Sequence, residues 1–153
     1  MTRHTGRDVV QMAIDMERVG QAFYEALAGG CDNPKISALC VRLARAEAAH
    51  GARFKVIFDS LPNTTAGLPI SETQRAEAER WIASHVLPSP TEVQKVGLGG
   101  SIKDAVAMAV KMESDSIRFY NAMLKLIPSG HAEIGEIIRE EESHLRDLQM
   151  SGG

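Results

Sequence analysis

The chain has 153 residues, of which 44% are apolar and 24% charged, enough for one globular domain with its own core and too apolar for a disordered chain. A net charge of only −3 gives no electrostatic reason to expect a nucleic acid or an anionic membrane as partner. Cys31 and Cys40 make neither a CxxC pair nor a disulfide framework, MTRHTGRDVV lacks an apolar signal core, and no run approaches the roughly 20 apolar residues of a spanning helix, so the expectation is a cytoplasmic protein.

Four segments carry apolar residues at i, i+3, i+4, i+7 spacing, the pattern of amphipathic helices. The first runs from about Gly6 to Ala28 and stops at Gly29-Gly30. The second runs from about Pro34, suited to a first helical turn, to Ser60, before Leu61-Pro62. The third starts near Ser101, with Asp104 three residues later, and ends near Ile127-Pro128; the fourth spans about His131 to Met150. Short turns make each pair an antiparallel hairpin. Between the hairpins, Leu61 to Gly100 reads as a crossover: "LPNTTAGLP" and "LPSPTEVQKVGLGG" are loop, and "SETQRAEAERWIASHV" is one short helix beginning at Ser71. The expected fold is all-α, a single-domain four-helix bundle over 1–153 whose second and third helices run parallel.

The two hairpins are internal repeats. "MAIDMERVGQAFY", Met12 to Tyr24, matches "MAVKMESDSIRFY", Met108 to Tyr120, with identities at Met, Ala, Met, Glu, Phe and Tyr. "ARAEAAH", Ala44 to His50, aligns with "IREEESH", Ile138 to His144. Each half thus contributes one lone glutamate on an apolar stripe, Glu17 or Glu113, and one E-x-x-H, Glu47 with His50 or Glu141 with His144. Residues three apart share a helix face, so each E-x-x-H can bind one ion, and a bundle aims all six side chains at one point. Four carboxylates there would each lose several kcal/mol of hydration and repel one another. Two divalent cations cancel their charge, and mixed carboxylate–imidazole ligation suits iron or manganese better than calcium or structural zinc. A single E-x-x-H arises readily by chance; two in register within a repeat, each with an upstream core glutamate, fit the known ligand set of ferritin-like di-iron bundles.

At "MERVGQAFY", "ARAEAAH", "MESDSIRFY" and "REEESH" the chain resembles the ferritin-like di-iron superfamily, and within it the rubrerythrin-type domain; only the crossover falls outside the resemblance. The resemblance implies a centre of two Fe ions, with Mn or a mixed pair as the variant. Glu17 and Glu113 would be terminal or bridging carboxylates, and Glu47, His50, Glu141 and His144 the remaining metal ligands. It further implies a redox reaction with hydrogen peroxide or dioxygen, a rubrerythrin-like peroxidase or oxidase serving oxidative-stress protection, an external electron donor, and a homodimer. Two features depart from the family pattern. The position three residues after Glu113, where rubrerythrins usually carry a further glutamate, is Ser116, and no paired CxxC motifs of a rubredoxin domain are present.

Tyr24 and Tyr120 each lie seven residues past their core glutamate, as catalytic-site candidates that either hydrogen-bond a ligand carboxylate, act as redox-active phenols, or simply cap their hydroxyls on any acceptor. Gly20 and Ser116 are expected to leave room for the oxidant. Cys40 reads as a buried filler, His4, His85 and His131 as surface, and Glu140 and Glu142 as a solvated face shared with Arg139 and Arg146. Two other functions remain open at this stage. One is a ferroxidase or iron-handling protein without catalytic turnover; the other is a metal-free structural bundle.

Overall fold

The computed structural model describes residues 6–62, 73, 76, 102–127 and 129–151. Among these are four helices: α1 (Gly6–Gly30), α2 (Pro34–Ser60), α3 (Ile102–Met123) and α4 (His131–Ser151). The short helix expected from Ser71, and with it most of the crossover, lies outside the described residues. No helix among the described residues is long and apolar enough to cross a membrane.

Local chemistry sets the helix ends. Asn33 caps α2, its side-chain carbonyl accepting from the backbone N–H groups of Lys35 (3.0 Å) and Ile36 (3.2 Å), while Pro34 occupies the first turn where no N–H is needed. The Ser37 hydroxyl donates to the Ala28 carbonyl at 2.8 Å, sewing the start of α2 to the end of α1. α3 ends four residues earlier than its apolar pattern implies. Lys125 and Leu126 switch to i→i−3 bonds with Ala122 and Met123, a tighter turn that folds the buried Leu126 and Ile127 over the end of the bundle.

Packing then fixes the topology. α1 lies against α2 and α3, and α4 against α3 and α2; the α1–α4 and α2–α3 pairs are diagonal. The start of α1 meets the end of α2, a methyl group at Gly6 lying 3.6 Å from Leu61, so the first hairpin is antiparallel, as the short Cys31–Asn33 turn requires. Two separate apolar clusters fill the interior. One gathers Val10, Phe54, Phe119, Tyr120, Ile134 and Ile137; the other gathers Phe23, Tyr24, Leu39, Leu43, Ala109 and Leu148. The layer between them is polar.

Gly130, in the turn before α4, has φ +79°, and a Cβ there would meet three carbons of Ile57 at 3.2 Å. Gly130→Ala is therefore expected to lower unfolding stability by about 1–2 kcal/mol, read as a shift of the urea midpoint at unchanged slope. An unchanged midpoint would show that the turn accommodates the methyl group.

Candidate metal centre

Each hairpin delivers its polar groups by helix periodicity alone. Glu17 on α1 follows Val10 and Ala13 on the buried stripe, and Glu113 follows Val106 and Ala109 on α3. Glu47 and His50 share one face of α2, as Glu141 and His144 do on α4. Glu17, Glu47, His50, Glu113 and Glu141 are all buried; His144 is slightly more open, its side chain 16% exposed.

The structure brings all six together as two overlapping sets. Ligand atoms of Glu17, Glu47, His50 and Glu141 lie within 4.8 Å of one another, and so do those of Glu47, Glu113, Glu141 and His144. Glu47 and Glu141 belong to both sets. Two cations side by side would share these two carboxylates, with Glu17 and His50 on one flank and Glu113 and His144 on the other. The fit is tested by the atoms that protein alone leaves unpaired: Glu17 Oε2, Glu113 Oε2, Glu141 Oε2 and His144 Nδ1 are buried without a hydrogen-bond partner, while His50 turns Nδ1 to Glu141 and Glu17 and its unpaired Nε2 to the Glu140 side. A cluster of unpaired acceptors in an apolar interior is costly unless a cation completes it, so the donor set fits a metal pair.

The two tyrosines are placed crosswise. Tyr24 of α1 donates to Glu113 Oε1 of α3 at 2.7 Å, and Tyr120 of α3 donates to Glu17 Oε1 of α1 at 2.5 Å. This exchange requires α1 and α3 to run antiparallel, and it makes α2 and α3 parallel. Each bond occupies Oε1 of its glutamate and leaves Oε2 turned to the cluster. Burial, reinforced by the nearby carboxylates, pushes both phenols well above their ordinary range, so they stay protonated donors. Ser116 also faces the Tyr120 hydroxyl.

The electrostatics follow from crowding. Burial raises Glu17 and, more strongly, Glu47, whose neighbours Glu17 and Glu141 add repulsion; with no cation, Glu47 keeps a proton and shares it with Glu17. Burial also acts to raise Glu141, but hydrogen bonds and charge from His144 and His50 outweigh it and hold that carboxyl below its ordinary value. His50 Nδ1 lies 2.8 Å from Glu141 Oε1 and 3.6 Å from Glu17 Oε1. Burial would lower His50, yet these acids push it up to about 10.

Two features differ from the sequence expectations. The space beside Gly20 is taken by protein: a Cβ there would sit 3.1 Å from the Glu47 carboxylate, so the missing side chain makes room for a ligand residue. Glu140 is held by a residue from another helix, Arg53 of α2, at 2.9 Å, and its other oxygen lies 3.6 Å from His50 Nε2. Arg53 also grips Glu133 (2.7 Å) and Glu136 (2.6 Å). Glu140 thus sets a negative charge near the outer edge of the His50 ring without hydrogen-bonding it, a placement that sequence position did not reveal because it depends on α2 and α4 being neighbours. His131 is exposed, as expected, and its Nε2 bonds the Ile127 carbonyl at 2.7 Å, while His4 and His85 lie outside the described residues. Cys40 is buried, as expected of a filler, and burial pushes its thiol up to about 11.

A family model for rubrerythrin matches residues 8–151. The chain belongs to the rubrerythrin family. The fold agrees: a crystal structure from Thermotoga maritima, provisionally described as a ferritin-like diiron-carboxylate protein, superposes with a TM-score of 0.76 at 23% identity, covering 99% of this chain and 97% of that one. No curated protein matches significantly. Membership of the rubrerythrin family and the buried carboxylate–histidine cluster together describe a ferritin-like domain able to bind metal.

The raised groups set a pH dependence for the metal-free protein. Glu17 and Glu47 bind their protons more tightly folded than unfolded, so their contribution is full below about pH 4.5 and is lost as pH rises through their raised values. His50 acts in the same sense, its contribution fading between 6.5 and about 10. Glu141, lowered, opposes them only below 4.5. In chelator, the melting temperature is expected to fall from about pH 5 to about pH 10, whereas divalent cations displace the protons and are bound more tightly as pH rises. A melting temperature that climbs with pH in chelator would contradict this ordering.

Proposed function

We propose that this protein is a non-haem di-iron oxidoreductase that reduces hydrogen peroxide or dioxygen with electrons from an external donor. The observation that carries the reading is the pair of overlapping ligand sets, sharing Glu47 and Glu141 and leaving four buried atoms of Glu17, Glu113, Glu141 and His144 without protein partners. When bound, two iron ions supply the two electrons that the oxidant takes up.

The chain's own groups do the rest. Four carboxylates balance the charge of two divalent ions, and His50 and His144, neutral in the loaded site, add no charge. Tyr24 and Tyr120 fix the rotation of Glu113 and Glu17, so that Oε2 of each is presented to the centre without rearrangement. Glu140, steadied by Arg53, keeps a negative charge 3.6 Å from the outer nitrogen of His50. The two apolar clusters above and below the polar layer keep bulk water from the reacting groups. Ser116, in place of a further glutamate, leaves the Glu113 flank with one carboxylate fewer. The reading extends to a homodimer in the cytoplasm protecting against oxidants, by likeness to the family.

Anaerobic loading with Fe(II) is expected to reach two ions per chain, and added peroxide to be consumed as the near-ultraviolet absorption of carboxylate-bound ferric iron appears. Glu47→Leu and Glu141→Leu should each weaken iron binding by at least about tenfold and abolish the thermal stabilisation that iron confers. Iron retained far above two per chain would favour storage. Leucine variants that gain stability, with no iron bound and no peroxide consumed by the unsubstituted protein, would identify a metal-free bundle.

A further inference from the structure

A groove of about 300 Å³ opens on the outer face of the bundle between α1 and α2, and its floor is formed by Glu17 and Glu47. Both are otherwise buried, 1% and 5% exposed, so this groove is where the ligand cluster comes nearest to solvent on the α1–α2 side. A water molecule occupies about 30 Å³ in the liquid, so the groove admits several molecules of that size. Its wall on α2 is made of Ala48 and Gly51, and Arg18 and Lys55 stand at the mouth. Each of these cations is shared with an acid, Arg18 with Asp15 at 3.8 Å and Lys55 with Asp59 at 2.7 Å, which leaves the mouth close to neutral.

Gly51 is the unusual member. It lies in the interior of a 27-residue helix, where glycine is less favourable than alanine by about 1 kcal/mol. Packing does not require it: a Cβ at this position would meet only Glu17 Cβ, at an ordinary 3.7 Å. Gly20 is the contrast, because there the Glu47 carboxylate fills the space. What a larger residue at position 51 would change is the groove. We infer that this groove is the portal through which small uncharged or singly charged solutes reach the Glu17–Glu47 edge of the centre, and that Gly51 keeps it open. This rests on the di-metal reading and adds to it a direction of approach and the residue that controls it.

The test uses cobalt(II)-loaded protein and azide, followed by stopped-flow visible absorption. Gly51→Leu and, independently, Ala48→Leu grow a side chain into the groove from the α2 wall; both are expected to bind cobalt with unchanged stoichiometry and unchanged spectrum before azide is added. Azide should then bind to each about tenfold more slowly or worse, and to Gly51→Ala about two- to threefold more slowly. Equal azide rates in all four proteins, with intact cobalt spectra, would overturn the portal and assign entry to another side, such as the partly exposed His144 edge. Failure of the unsubstituted protein to take up cobalt would instead overturn the di-metal reading, and the portal with it.

Discussion

The confinement of four carboxylates to one layer inside an apolar bundle governs this structure. Taken alone, that layer opposes folding, since each acid loses hydration and repels the next. The surrounding architecture reads as a set of answers to it. Tyrosine hydroxyls satisfy one oxygen of Glu17 and one of Glu113, imidazoles compensate Glu141, and a retained proton relieves Glu47. These measures leave one oxygen each of Glu17, Glu113 and Glu141 and one nitrogen of His144 unanswered. Only positive charge at the centre completes them, and so the groups that weaken the empty bundle are those that bind a cation pair.

Around this common demand the two hairpins have diverged. Glu140, behind His50, is anchored by Arg53, whose other contacts to Glu133 and Glu136 spread one guanidinium over three acids of α4. These ion pairs are exposed and contribute little to stability, so their effect is on position. The matching place in the first hairpin is Ala46, and His144 accordingly has no acid there and lies more open to solvent. The ligand types are duplicated, but their supports are not. One imidazole has an acid beyond its outer edge and the other does not.

Most of the architecture was legible because its causes are local. Apolar spacing marked four helices, Gly29-Gly30 and Pro34 marked ends, and the repeat put Glu17, Glu47, His50, Glu113, Glu141 and His144 in register. The crosswise tyrosine bonds were not legible, since seven-residue spacing suggests that a tyrosine serves its own helix, and only the packing of α1 on α3 shows that it serves the other. Glu140 is exposed as expected, but its partner was not legible for the same reason: Arg53 is distant in sequence. Gly20 read as spare room because a missing side chain says nothing about what fills its place. Leu124 to Ile127 read as helix because their apolar pattern continues, although their work is to cap the bundle's end.

The reciprocity of the tyrosine bonds bears on how such a molecule could arise. Each hairpin carries one donor and one acceptor, and neither can close its own bond; the partners always come from the opposite half. A lone ancestral hairpin meeting an identical copy about a twofold axis would have closed both bonds at once and assembled the whole ligand set from two short chains. Gene fusion would then have needed no new chemistry, only a tether. Once joined, the halves were free to drift apart residue by residue, as Ala46 and Glu140 have done, while the shared centre kept the six inherited side chains in place.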